Sequence, residues 1–163
     1  MQRAVLVGCG AMSKAWFEAV RTIGDIDIVG VVDLARERAE ARIAEFDLGA
    51  AIASDSLSAV LAKTSPDLLF DVVVPAARHA TVAVGLDAGC HVLSEKPMAE
   101  TMDEARDLVG RAHGAGRIHA VVQNRRYLAQ IRRIRQLVAS GAIGDVTSLH
   151  CDFFLGPHFG GFR

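Results

Sequence analysis

Short apolar runs alternate with longer stretches of helical periodicity through most of this chain, and no other feature restricts its fold so strongly. Ala4 to Val7 is an apolar run closed by Gly8, and Ile26 to Val32 is another, stopped by Asp33. Between them Met12, Ala15, Trp16, Ala19, Val20 and Ile23 recur at helical spacing, which predicts one face of a helix over Ala11 to Ile23, ended by Gly24. Further on, the pattern predicts a helix over Ala35 to Phe46, strands at Leu68 to Val74, His91 to Leu93 and His119 to Val122, and helices at Ala77 to Ala88 and Met102 to Ala112. Parallel neighbours in a sheet need a crossover long enough to carry the chain back, so this alternation reads as repeated βαβ units. The run "LLFDVVV" is apolar at nearly every position, as strands are when helices cover both faces of a sheet. The expected fold is α/β, a doubly wound parallel sheet.

The pattern changes after Val122. A helix over Leu128 to Ala139 carries Leu128, Ile131, Ile134, Leu137 and Val138 on one face, and "GAIGDV" leads from it into "VTSLHCDFF", which reads as a strand. Residues 1–123 are therefore expected to form one domain and residues 124–163 the incomplete start of a second. An extended edge without partners in its own chain invites pairing with another copy, so a homo-oligomer joined through residues 146 to 155 is expected.

Composition excludes several classes of function. Of 163 residues, 51% are hydrophobic and 23% charged, and the formal net charge is -1, which suits a globular domain and gives no general attraction to nucleic acid or an anionic membrane. The one basic cluster, Arg125 to Arg135, reads as a solvated helix face. Cys9, Cys90 and Cys151 are odd in number and widely separated, which fits neither a disulfide framework nor a metal site and favours a reducing compartment. No apolar stretch approaches the roughly 18–20 residues of a membrane span, and no basic leader precedes one, so a cytoplasmic location is expected. His91, His113, His119, His150 and His158 have no metal-ligand spacing, so no metal is expected.

The chemistry concentrates in "GCGAMS". Gly8 and Gly10 stand where a strand gives way to a helix, and Ser13 takes the third, small position of the G-x-G-x-x-G/A fingerprint. The first glycine permits a tight turn, the second lets a pyrophosphate approach the backbone, and the third position lets helix and strand pack closely. N–H groups at the helix start, from Ala11 and Met12 onward, would then face the phosphates. Asp33 ends the second strand about 20 residues later, where a carboxylate can accept from the ribose hydroxyls; it suits equally well as a helix N-cap. A carboxylate there repels a 2'-phosphate, so NAD is the expected cofactor. NADP remains possible because Arg36 and Arg38 lie close by, and Leu34 would cover the adenine.

Further motifs stand in order along the chain: "PAARHATVAV", "HVLSEKPMAE", "QNRRY" at Gln123 to Tyr127 and "SGAIGDV" at Ser140 to Val146. Together with "GCGAMS" and Asp33 they resemble the Gfo/Idh/MocA family of nicotinamide-dependent oxidoreductases, over the whole chain. The resemblance implies a Rossmann domain at 1–123 and the start of a C-terminal α/β substrate and oligomerisation domain at 124–163. It implies that Lys96 reaches the oxygen of the reacting carbon, that Glu95 and Pro97 shape its turn, with a cis peptide before Pro97, and that Pro75, Ala76 and His79 line the nicotinamide side. Asn124, Arg126 and Tyr127 would lie near cofactor and substrate. A lysine suits this chemistry, because a hydride leaves an alcohol carbon only as a proton leaves its oxygen, and an ammonium stabilises the developing charge. Read without the resemblance, Lys96 is a solvated loop cation and His79 a helix-start histidine with a satisfied hydrogen bond. Val74 stands where the family usually has a threonine.

The implied function is an NAD(P)-dependent dehydrogenase of a sugar, polyol or related hydroxy compound, this chain being mainly the cofactor-binding half. The family's second domain supplies further catalytic groups and most substrate contacts, so these 163 residues are expected to bind cofactor but catalyse poorly or not at all alone. The alternatives are a non-catalytic nucleotide-binding or regulatory module, and glycoside cleavage through transient oxidation.

Overall fold

The computed structural model describes residues 1–152. The chain divides into two compact units, Met1–Val122 and Gln123–Arg163. In the first, strands and helices alternate: β1 (Gln2–Val7), α1 (Ser13–Ile23), β2 (Ile26–Val32), α2 (Arg36–Glu45), β3 (Ile52–Ser54), α3 (Leu57–Thr64), β4 (Leu68–Asp71), α4 (Pro75–Asp87), β5 (His91–Ser94), α5 (Met102–Ala115) and β6 (His119–Val121). The six strands form one sheet in the order β3-β2-β1-β4-β5-β6, and every neighbouring pair is parallel. This is the doubly wound Rossmann arrangement, in which the winding direction reverses at β1 and opens a crevice beyond the carboxyl ends of β1 and β4.

Continuous apolar strands feed two cores, one on each face of the sheet. Ala4 and Leu6 of β1 pack with Trp16, Phe17 and Val20 of α1 and Ala39 of α2. Val5 and Val7 point the other way, toward Val60 and Leu61 of α3, Val82 and Leu86 of α4 and Leu108 of α5. Aromatic contacts brace the first face: Trp16 lies 5.5 Å from Phe70, and Phe17 stacks on Phe46 at 4.8 Å.

Helix ends follow local chemistry. Ser56 accepts from the Ala59 N–H to start α3. Thr101 and Glu104 form a capping box at the start of α5. Gly24 and Gly116 end α1 and α5 in the left-handed conformation.

In three places the structure differs from the expectation. It adds β3 and α3, between the predicted helix at Ala35 to Phe46 and the strand at Leu68. It ends β4 at Asp71 instead of Val74, because the Asp71 carboxylate turns back to accept from the Val73 N–H at 3.1 Å and α4 begins at Pro75. In the second unit a 3-10 turn spans Asn124–Tyr127 and α6 spans Ala129–Ala139, but the strand expected from "VTSLHCDFF" pairs with no other strand over its described residues 146–152. Phe153, Phe154 and Leu155, the rest of the segment expected to pair two copies, lie outside the described residues. An isolated extended segment has no ladder to hold it straight.

Candidate cofactor-binding site

Because all six strands run parallel, the loops that leave their carboxyl ends emerge on one edge of the sheet. Four of these loops carry most of the candidate residues: Gly8, Gly10, Ala11 and Met12 after β1, Asp33 and Leu34 after β2, Pro75 and Ala76 after β4, and Glu95 and Lys96 after β5.

The loop after β1 is built around two different glycines. Gly8 has a φ of +97°, donates to the Val32 carbonyl at 2.8 Å, and lies so close to the end of β4 that a Cβ would meet the carbonyl carbon and oxygen of Val72 at 2.7 Å. Gly10 has the opposite surroundings, since a Cβ there would meet nothing within 4 Å. Beyond it, the Ser13 hydroxyl is fully buried and donates to the Gly10 carbonyl at 2.7 Å. The N–H groups of Gly10, Ala11 and Met12 donate to no acceptor among the described residues. A row of unbonded donors at a helix start, facing open space, suits a pyrophosphate.

Asp33 ties the first two loops together. One carboxylate oxygen accepts from the Cys9 N–H at 2.8 Å and the other from the Ala35 N–H at 3.0 Å. A carboxylate has about four acceptor positions, so two remain for ribose hydroxyls. Leu34 is 95% exposed beside it, and Arg38, in the first turn of α2, is exposed as well. Cys9, buried between the glycines, has its thiol pushed up to about 11 by burial, with the Asp33 charge adding to the effect.

The loop after β5 holds a cis peptide between Lys96 and Pro97. Glu95 accepts from the Trp16 indole N–H at 3.1 Å, which links this loop to α1. Lys96 is exposed, and its ammonium has no ion-pair partner among the described residues.

Beneath the loops after β4 and β5 lies Arg78, 1% exposed. It donates to Asp71 at 2.8 Å and to the carbonyls of Val73 and Pro97, each at 2.5 Å. Burial pushes the Asp71 carboxyl up, against the pull of the Arg78 guanidinium and the Val73 N–H.

Two further candidates lie on other elements. His79, in the second turn of α4, shares a 2.8 Å hydrogen bond with Asp107 of α5, whose carboxylate also accepts from Arg111 at 2.7 Å. Asn124 belongs to the second unit, where its side chain accepts from the Arg125 N–H at 2.9 Å. Conversely, Arg42 and Arg78 bond site loops although neither is a candidate from the sequence: Arg78 stands inside "PAARHATVAV" without a role, and Arg42 lies outside every motif. For Arg42 a faint sequence signal exists in its spacing of three from Glu45, to which it is ion-paired.

The strand order and the glycine turn define the class of protein as a Rossmann-type nucleotide-binding domain. Residues 2–123 match the model of the Gfo/Idh/MocA oxidoreductase family, NAD-binding Rossmann fold, and the chain belongs to that family. Among curated relatives it is similar to D-xylose dehydrogenase of Paenarthrobacter nicotinovorans, 34% identical over 61% of this chain and 26% of that protein. It is also similar to inositol 2-dehydrogenase/D-chiro-inositol 3-dehydrogenase of Lacticaseibacillus casei, 30% identical over 85% of this chain and 40% of that protein. Among solved structures, the WlbA dehydrogenase of Bordetella pertussis in complex with NADH and UDP-GlcNAcA superposes with a TM-score of 0.81 at 30% identity, covering 88% of this chain and 41% of that one. The chain thus spans less than half the length of these relatives. Among the described residues no helix is long and apolar enough to cross a membrane.

Proposed function

We propose that this chain is the cofactor-binding part of an NAD-dependent dehydrogenase that moves a hydride between the nicotinamide and a sugar, polyol or related hydroxy compound. The observation that carries this reading is the shared sheet edge: a glycine turn with three unbonded N–H groups follows β1, and an unpaired lysine follows β5. The sugar and inositol dehydrogenases among the relatives support the substrate class.

In this reading Gly10, Ala11 and Met12 bind the pyrophosphate through their N–H groups, and the free acceptor positions of Asp33 take the ribose hydroxyls. Leu34 covers the adenine, Arg38 flanks the ribose, and Pro75 and Ala76 line the nicotinamide side. NAD, when bound, supplies the hydride acceptor. Lys96 stabilises the negative charge that develops on the substrate oxygen, and Glu95, held by Trp16, sets the direction of its turn. His79 lines the nicotinamide side with Pro75 and Ala76, its ring held by Asp107 at 2.8 Å.

Calorimetric titration of the chain with NAD and NADP in parallel tests the proposal, with Asp33→Ala as control. Saturable NAD binding that weakens in the variant is the expected outcome. Absence of saturable binding to either dinucleotide would defeat the reading.

A further inference from the structure

Arg42 lies on α2, outside every motif of the chain, yet its guanidinium reaches back to the glycine turn. Its Nε donates to the Ser13 hydroxyl at 2.9 Å, and one terminal nitrogen lies 3.3 Å from the carbonyl oxygens of both Cys9 and Gly10. The other terminal nitrogen is ion-paired with Glu45 at 2.5 Å, and Glu45 is held in turn by Lys14 of α1 at 2.6 Å. The fork is therefore fixed from both sides, and the Arg42 side chain is only 16% exposed.

What those two carbonyls control follows from peptide geometry. In a planar trans peptide the C=O of one residue and the N–H of the next point in opposite directions from the same rigid plane. Holding the Cys9 carbonyl fixes the direction of the Gly10 N–H, and holding the Gly10 carbonyl fixes that of Ala11. These are two of the three N–H groups left without an acceptor among the described residues. Ser13, buried in the third fingerprint position, adds a second grip on the Gly10 carbonyl at 2.7 Å while accepting from Arg42.

We propose that Arg42 is a positioning residue for the dinucleotide's pyrophosphate, acting through the loop by locking the Cys9–Gly10 and Gly10–Ala11 peptide planes. This rests on the NAD-binding reading above and adds to it a residue that the fingerprint does not contain. Without Arg42 the Gly10 carbonyl keeps its bonds from Ser13, but the Cys9–Gly10 peptide has no bond on its carbonyl among the described residues, so part of the binding free energy is consumed in ordering it.

Calorimetry with NAD, and NMR titration with adenosine, distinguish this role from a general contribution to folding. Adenosine shares the ribose contact at Asp33 but has no phosphate. Arg42→Met should weaken NAD binding roughly tenfold while leaving adenosine affinity unchanged; Asp33→Ala should weaken both. Arg42→Lys keeps the charge but cannot reach Ser13 and both carbonyls together, so it should remain impaired for NAD, and it serves alone if the Met variant does not fold. Wild-type NAD affinity in Arg42→Met, full recovery in Arg42→Lys, or equal losses for NAD and adenosine would each overturn the proposal. No NAD binding by the unmodified chain would instead overturn the functional reading together with it.

Discussion

The two glycines of the turn should separate stability from binding when each is replaced by alanine. At Gly8 the new Cβ would stand 2.7 Å from both the carbonyl carbon and the oxygen of Val72 and 2.9 Å from the Val73 nitrogen, on a backbone with φ of +97°. These are backbone atoms at the end of β4, which cannot rotate aside as a side chain would. A non-glycine residue held in that conformation costs about 1–3 kcal/mol, and overpacking adds about 1–3 kcal/mol more. The combined loss, roughly 4 kcal/mol, is a large share of the about 5–15 kcal/mol that stabilises an ordinary domain. For a chain of this size it should lower the melting temperature by roughly 10 °C. Gly10→Ala meets no atom within 4 Å and has no left-handed φ, so its stability should stay within about 0.5 kcal/mol of the parent. Its methyl group, however, stands in the open space proposed for the pyrophosphate. Thermal and urea unfolding followed by circular dichroism, paired with NAD titration, reads both effects. The reasoning is refuted if Gly8→Ala melts within about 2 °C of the parent or if Gly10→Ala binds NAD with unchanged affinity.

Arg78→Met should destabilise the chain by about 3–5 kcal/mol in urea titration, because it strands the fully buried Asp71 carboxylate and frees the Val73 and Pro97 carbonyls; a loss under about 1 kcal/mol would mean that the pair behaves like a surface ion pair. His119 predicts a pH effect: burial, aided by the Arg78 charge, holds its imidazole below the ordinary value of 6.5. The unfolded chain therefore binds the proton more readily, so stability holds above about pH 6.5 and falls as the pH drops below it. His119→Gln should flatten the fall in urea midpoint between about pH 6.5 and 5, and an unchanged slope would exclude His119 as its source. Cysteine labelling offers a simpler check. Cys151 is exposed while burial raises both Cys9 and Cys90, so a thiol reagent near pH 8 should modify Cys151 rapidly and the other two only on unfolding; rapid labelling of Cys9 would contradict its buried position.

What the sequence disclosed depended on repetition along the chain. Five of the six strands and four of the five helices of the first unit carry enough apolar periodicity to be read directly. β3 has three residues, each only partly buried, too few to set a period, and α3 was missed with it although Ser56 caps its start. β4 was read three residues too long because Val72, Val73 and Val74 continue the apolar run, and only the Asp71 side chain shows where the backbone turns away. Fingerprint positions were readable because each has a fixed spacing. Arg78 was not, since an arginine is presumed solvated until an acceptor set is found, and its acceptors lie on two separate stretches of chain, at Asp71 and Val73 and at Pro97. Arg42 likewise acts across about 30 residues of sequence, by a contact set by the fold.

These misses share a physical cause that bears on how the edge works. Loops beyond the strands leave the hydrogen-bond ladder, so their peptide groups need other partners or water. Here charged side chains supply them selectively. Asp33 takes the Cys9 and Ala35 N–H groups, Arg42 the Cys9 and Gly10 carbonyls, Asp71 the Val73 N–H, and Arg78 the Val73 and Pro97 carbonyls. Every carbonyl in that set is satisfied by a cation from a neighbouring helix, and beside them the N–H groups of Gly10, Ala11 and Met12 and the ammonium of Lys96 have no partner among the described residues. Those unbonded donors suit anionic and oxyanionic ligands, while the free acceptor positions of Asp33 suit hydroxyls. Loss of Arg42 leaves the Gly10 carbonyl held by the Ser13 hydroxyl at 2.7 Å and the Ser13 N–H at 3.1 Å, but leaves the Cys9 carbonyl without its donor among the described residues, so the aim of the Gly10 N–H should loosen most and phosphate binding weaken with it.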